Sequence, residues 1–383
     1  MITYGKQYID KSDKNAVLQA LKGNFITQGP KVNEFEKLIS LVFGSKYSCA
    51  VSNGTAGLHL AGLALGWKKN DIILCSPISF LAASNAAIYC GATPSFVDID
   101  KSNFNIDINK LKTKIISLKK KRKKIKSIVA TDFAGNPCRW QELKQISKKY
   151  NITLINDNCH ALGAKYRNKK SYASSFADVV VHSYHAVKNI TTAEGGAVLT
   201  NNKRIYEKVK LLRSHGVIKK NNIKEPWNYN MQLLGYNYRI SDIQCSLGTS
   251  QLKKLKLFVK KRNEIANIYK KNFHDRNYFR TQEIHKNDLH GYHIFPLLIN
   301  FKKIKKEKWK LFRFLMKHNI KLQVHYNPIH LQPYYKKKYG FKKGDFPVAE
   351  KFFDSEVSLP MYYDLSLKNV RRICQLINSF VLG

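Results

Sequence analysis

The chain has 383 residues, enough to bury a large core in two domains, and its 44% hydrophobic and 24% charged content excludes a disordered protein. The longest apolar runs, such as 58–65, are interrupted by His59 and Gly62 and fall short of the roughly 20 residues that a membrane span needs, and the polar start 1–14 has no apolar signal core. The formal charge of +41 admits two readings: a nucleic-acid or anionic-membrane partner, or a lysine-biased composition spread over solvated faces.

The chain therefore reads as soluble and cytoplasmic, with no membrane partner. Its seven cysteines are odd in number and widely spaced, without a C-x-x-C pair. Reduced thiols are expected, and no structural zinc site. The densest basic run, 119–126, follows an apolar-periodic segment (111–118) and precedes a strand, as a lysine-rich helix end would. It holds no aromatic residue and no nucleic-acid-reading motif, which favours solvated faces over a nucleic-acid partner.

In chain order, strand-like runs fall at 47–51, 72–75, 94–97, 127–130, 153–156, 179–182 and 197–200. Segments of helical spacing lie between most of them, such as 55–65 and 80–89. This alternation predicts an α/β fold with a largely parallel sheet covered by helices. A long helix is expected over 241–260. It leads into a smaller C-terminal α+β domain with strands near 294–299 and 320–325. The domain boundary is placed between residues 250 and 251.

Four features mark strand ends or helix starts, where open α/β sheets place their ligands. Ser52-Asn53-Gly54-Thr55-Ala56-Gly57 follows the first strand, and small residues there leave N–H groups for an anion; any tight strand–helix turn also favours Gly and Thr. Asp157 follows the strand 153–156, either as a site carboxylate or as an N-cap for the next turn. Phe80 offers a flat face, or a core ring. Ser183 lies in the polar turn after the strand 179–182 and precedes Lys188 by five positions. Lys188 stands in Ser183-Tyr184-His185-Ala186-Val187-Lys188-Asn189-Ile190-Thr191-Thr192-Ala193-Glu194-Gly195-Gly196, just past a buried strand. Together these are the parts that pyridoxal 5′-phosphate requires: an amine for its aldehyde, an anion cradle, a carboxylate for its ring nitrogen and a surface against its ring. In the second stage of such chemistry a free, neutral lysine moves the proton.

The lysine segment resembles that of the DegT/DnrJ/StrS family of sugar aminotransferases, which have fold type I. Ile2-Thr3-Tyr4-Gly5-Lys6-Gln7, Thr27-Gln28-Gly29, Asn53-Gly54-Thr55-Ala56 and His160-Ala161-Leu162-Gly163 are similar as well. So are Arg213-Ser214-His215-Gly216 and Gly235-Tyr236-Asn237-Tyr238-Arg239 followed by Asp242-Ile243-Gln244. The resemblance spans the whole chain. It implies that Lys188 carries the cofactor and that Asp157 faces the ring nitrogen. It places His160 near the phenolic oxygen and Phe80 on the ring. Thr55, Ala56 and Ser183 fall in the phosphate cradle. Asn237 matches a residue that reaches the phosphate from a second subunit, which implies a homodimer with shared sites.

Within the family, Arg213 to Gly216 with Lys219-Lys220, Gln323 to Pro328 and Glu356 to Pro360 resemble the subgroup of pseudaminic acid biosynthesis. That resemblance implies a UDP-linked 2-acetamido-2,6-dideoxy-4-hexulose aminated at C4, with L-glutamate as donor. Tyr4, Asn24, Phe25, Ile26, Thr27, His325 and Tyr326 fall where the sugar nucleotide is contacted. Another nucleotide-linked keto sugar, of perosamine type, is the alternative. A dehydratase is disfavoured, because in those relatives a histidine takes the place of Lys188. The chain departs from its relatives at Asn158-Cys159, where smaller residues are usual, and in a polar stretch at 221–227 that looks long.

Overall fold

Seven short apolar runs pair into one sheet, because each is too apolar to face water and too short to form a helix. The computed structural model describes residues 1–219, 227–275 and 277–383. The strands are β1 (Tyr47–Val51), β2 (Asp71–Cys75), β3 (Thr93–Phe96), β4 (Lys124–Thr131), β5 (Thr153–Asp157), β6 (Val179–Ser183) and β7 (Gly196–Thr200). Their order across the sheet is β1-β7-β6-β5-β4-β2-β3. β7 pairs antiparallel with both its neighbours, while β6, β5, β4, β2 and β3 pair in parallel. The expected, mostly parallel sheet is present, and its inner strands are buried on both faces as such sheets demand.

Helices cover it: α1 (Lys11–Leu21), α2 (Pro30–Phe43), α3 (Gly54–Ala64), α4 (Ala82–Tyr89), α5 (Ile108–Lys120), α6 (Trp140–Tyr150), α7 (Tyr172–Phe176), α8 (Lys203–Arg213) and α9 (Asp242–Lys253). A β8 (Val217–Lys219) and β9 (Tyr229–Met231) pair follows α8. Beyond α10 (Leu255–Asn272), the strands β10 (Phe279–Thr281), β11 (Phe295–Ile299) and β12 (Glu356–Leu359) form a second sheet. It shares a separate core with α10, α11 (Lys308–Lys317) and α14 (Leu367–Leu382). The short helices α12 (Pro333–Tyr339) and α13 (Pro347–Ser355) lie against the first sheet's outer core instead, through Tyr335, Ala349 and Phe352.

Several expectations are corrected. The single helix over 241–260 is two, α9 and α10, broken at Lys254. The apolar stripe runs on through Leu252 and Leu255, so periodicity does not register the break. At the break the Lys254 ammonium lies 2.8 Å from Asp10 and 2.7 Å from Asp13, tying this corner to the start of α1. Residues 320–325 form no strand: Ile320 bridges Ile2 and Gln323 bridges Ser358, each a single pairing with a different neighbour. The helix placed from Phe80 starts at Ala82, which leaves Phe80 in the turn. The basic run 119–126 straddles a helix end and a strand start; α5 stops at Lys120, and Lys124 opens β4 with its ammonium 3.0 Å from Asp71. The polar stretch at 221–226 lies outside the described residues.

Candidate active site

Three chain segments converge at the carboxyl edge of the sheet. β5 ends on Asp157, β6 ends on Ser183, and the turn after β1 opens helix α3 at Gly54. A Cβ on Gly54 would stand 3.0 Å from Ser183 Cβ and 3.3 Å from Cys159 Sγ, so glycine lets the helix start beside β6. Gly196 does the same from the other side, since its Cβ would lie 2.6 Å from the Asn53 carbonyl carbon. A cavity of about 710 Å³ opens there, bounded by Asn53 to Ala56, Phe80, Asp157, Cys159, His160, Ser183, Lys188, Tyr238, His293, Tyr4, His325 and Tyr326.

The α3 terminus fits an anion. Asn53 caps the helix by accepting from the Ala56 N–H at 2.8 Å. The Gly54 and Thr55 N–H groups, first in the helix, have no protein acceptor among the described residues. With the helix dipole and the nearby Ser183 hydroxyl they leave an open end that could hold an anion. Ala56, whose N–H is used by the cap, lines the same cavity.

Asp157 is buried and held loosely. Thr131 Oγ1 donates to it at 3.3 Å and the Cys159 N–H at 3.2 Å. Long bonds of this kind leave the carboxylate able to take a cationic N–H as a stronger partner. The stiffness of this strand end comes from Asp132, which is fully buried. Its carboxylate accepts from Cys138 N (2.7 Å), Trp140 Nε1 (2.9 Å), Asn156 Nδ2 (3.2 Å), Asn158 Nδ2 (3.0 Å) and the Tyr172 hydroxyl (2.7 Å). Burial pushes Asp132 up to about 6, and these donors keep it ionised at neutral pH. Asn156 and Asn158 flank Asp157, so one carboxylate clamps both sides of the site residue. The unusual Asn158 is thereby explained as scaffolding. Cys159 faces the cavity as a thiol, since burial and then Asp157 raise it well above the usual range.

Lys188 Nζ lies 3.2 Å from His293 Nε2. Burial lowers the lysine below its ordinary value, with Cys159 and Asp157 opposing. Burial first, then Lys188, hold His160 and His293 well below the usual histidine range, so both are neutral. His160 Nδ1 accepts from the Ala134 N–H at 3.3 Å, so its proton sits on Nε2, 3.1 Å from the Tyr326 hydroxyl. Tyr326 accepts that bond and keeps its own O–H for the cavity. Phe80 stands 6.1 Å from the Tyr326 ring, with one face open.

Of the residues singled out in the sequence, the chain gathers Thr55, Ala56, Phe80, Asp157, His160, Ser183, Lys188, Tyr4, His325 and Tyr326 around this cavity. It does not bring Asn24, Phe25, Ile26, Thr27 or Asn237 there; these are exposed elsewhere on the same chain. Sequence reasoning missed His293 and Thr131, which arrive from distant positions without a local motif, and Tyr238, whose segment was noted only for its similarity to the family. Two residues of the segments similar to the family have structural roles. Arg213 pairs with the buried Glu36 at 2.6 Å. Asp242 accepts from the N–H groups of Gly29 (2.7 Å) and Lys31 (2.9 Å) at the start of α2.

Residues 7–378 match the model of the DegT/DnrJ/EryC1/StrS aminotransferase family. The chain is 42% identical over 371 residues to a UDP-4-amino-4,6-dideoxy-N-acetyl-beta-L-altrosamine transaminase of Campylobacter jejuni, covering 97% of this chain and 95% of that one. It is 38% identical to an uncharacterized protein of Methanocaldococcus jannaschii, covering 97% and 96%. Among solved structures, Helicobacter pylori PseC, an aminotransferase of pseudaminic acid biosynthesis, superposes with a TM-score of 0.91 at 34% identity, over 100% of this chain and 99% of that one. A putative sugar aminotransferase of Streptococcus pneumoniae, solved in PLP and PMP forms, is 26% identical; its PMP form has a TM-score of 0.90 and covers 100% of this chain and 99% of its own. With the lysine, the carboxylate and the open start of α3 in one cavity, the chain belongs to the DegT/DnrJ/EryC1/StrS aminotransferase family, whose cofactor is pyridoxal 5′-phosphate.

Proposed function

We propose that this chain transfers the amino group of L-glutamate to C4 of a UDP-linked 2-acetamido-2,6-dideoxy-4-hexulose, in pseudaminic acid biosynthesis. The observation that carries the reading is the single cavity shared by Lys188, Asp157 and the open end of α3. The 42% identity to a transaminase named for the corresponding amino sugar supports the choice of substrate.

When bound, pyridoxal 5′-phosphate supplies an aldehyde that takes up an amine and a ring that draws electrons from the adjacent carbon. Asp157 would hold the ring nitrogen protonated. The Gly54 and Thr55 N–H groups and Ser183 would hold the phosphate, and Phe80 would cover the ring. Lys188 has a lowered pKa, so its free amine is neutral more readily than an exposed lysine. Nζ takes the α-proton of glutamate in the first half-reaction and delivers a proton to C4 of the sugar in the second. Tyr326 directs its hydroxyl at oxygen atoms in the cavity. Tyr4 and His325, whose rings are 5.1 Å apart, line the sugar side.

Asn24 to Thr27 and Asn237 are exposed on this chain and lie outside its own cavity. In this reading they serve the site of a second copy, in a homodimer working in the cytoplasm. The test is product mass spectrometry on a panel of UDP- and dTDP-linked 4-keto sugars with glutamate. The UDP-linked 2-acetamido-2,6-dideoxy sugar is expected to turn over with the highest kcat/KM. A preference for a GDP- or dTDP-linked sugar would overturn the substrate assignment.

A further inference from the structure

Behind the sugar side of the cavity lies a chain of three buried polar side chains. Glu356, at the start of β12, is fully buried. Its Oε1 is hydrogen-bonded to Ser358 Oγ, two residues along the same strand and on the same face. Ser358 Oγ is in turn 2.7 Å from His325 Nδ1. Glu356 Oε2 accepts the His325 backbone N–H at 3.0 Å. His325 lines the cavity beside Tyr4 and Tyr326, and with Nδ1 taken up by Ser358, Nε2 is the ring nitrogen left for a cavity partner.

A hydroxyl between two partners can donate to only one of them. His325 is neutral, because burial first and Lys188 second depress it to about 3. It therefore carries one ring proton, and the bond at Nδ1 decides where that proton is. If Ser358 donates to Glu356, it must accept from Nδ1–H, and Nε2 shows the cavity a lone pair. If a protonated Glu356 donates to Ser358, the hydroxyl turns to donate to Nδ1, and Nε2–H faces the cavity.

We propose that Glu356, through Ser358, positions the proton of His325 so that Nε2–H is a hydrogen-bond donor to a substrate oxygen in the neutral range, and reverses it in alkali. This deepens the keto-sugar reading and rests on it for the identity of that oxygen's owner. Burial is the larger influence on Glu356 and pushes it up to about 8. Lys308, the cation nearest it, spends its ammonium on the backbone carbonyls of Phe353 and Glu356. It makes no ion pair with the Glu356 carboxyl among the described residues. The charged or titratable groups facing His325 are Lys188, His160, His293, Tyr4 and Tyr326 on the cavity side, and Glu356 behind it. Glu356 and Ser358 do not touch the cavity, so they are positioning residues.

The test is nitrogen NMR of histidine-labelled holoenzyme without substrate, with His325 assigned by loss of its signals in His325→Gln. Wild type is expected to show protonated Nε2 below about pH 8 and protonated Nδ1 above it. Glu356→Gln keeps an N–H donor to Ser358 and an acceptor for the His325 N–H. It should hold Nε2–H at every pH. Ser358→Ala should uncouple the two, with His325 no longer following Glu356, and Ser358→Thr should restore the coupling. In turnover, the KM for the keto sugar should rise above pH 8 in wild type and stay level in Glu356→Gln. A wild-type His325 whose proton does not move, or which sits on Nδ1 at neutral pH, overturns the proposal, as does a Glu356→Gln variant that still switches. Because the NMR uses no sugar, a failure of the substrate assignment appears separately, in the product analysis.

Discussion

Lys188 gains its reactivity from where it is, not from what it is. Removing its amine in Lys188→Ala should lower turnover by about 10²- to 10⁴-fold or more, the usual worth of a placed proton-transfer group, read as 2-oxoglutarate formed per enzyme. Full turnover in that variant would revive the dehydratase-like reading. Asp132 carries the load behind the site. Asp132→Ala strips five donors of their acceptor, and a hydrogen bond to a charged group is worth roughly 1.5–3 kcal/mol. A loss of about 3 kcal/mol or more is expected in urea unfolding. Glu356 gives a signed pH effect. Its folded value of about 8 lies above the 4.5 of an ordinary glutamate, so the native chain holds a proton that the unfolded chain releases. The stability from that proton is full below about 4.5 and is lost as pH rises towards 8. Wild type should lose stability across that window relative to Glu356→Gln, in paired urea midpoints.

The start of α3 is set by two glycines acting from opposite sides, Gly54 on the helix and Gly196 on β7. Gly196→Ala would force Asn53 away from the strand, since the backbone offers no flexible side chain to yield. We expect a loss of about 1–3 kcal/mol, the usual penalty of overpacking, together with weaker cofactor retention on dilution. Unchanged retention would show that the cradle tolerates the shift. The elements of the large sheet were legible because each strand is an apolar run and each connection carries helical periodicity. The site residues on strand ends, Asp157 and Ser183, were legible for the same reason. α1 and α2 were not anticipated. α1 closes on its own capping box at Asp10 and Asp13, while the start of α2 is held by Asp242 from far along the chain. His293 was illegible because its approach to Lys188 is made by packing of the second core against the first. The break at Lys254 hid because the apolar pattern runs on through it.

At the scale of the molecule, one chain leaves Asn237 and Asn24 to Thr27 exposed and away from its own cavity. If sites are shared, a Lys188→Ala chain and an Asn237→Ala chain, each impaired alone, should recover activity when co-expressed. One of the two mixed sites is then wild type in both contributions. Absence of recovery in a verified mixed dimer would place Asn237 outside the site. The charge of +41 is consistent with attraction of a diphosphate substrate, and the kcat/KM for the sugar nucleotide should fall as salt is raised. The central claim is amine transfer from glutamate to a UDP-linked 4-keto sugar. It is tested most directly by following nitrogen-15 from labelled glutamate into the UDP-sugar by mass spectrometry. The account predicts label at C4 in place of the ketone oxygen, with one 2-oxoglutarate per labelled sugar. Consumption of the keto sugar with no label in the product would contradict it.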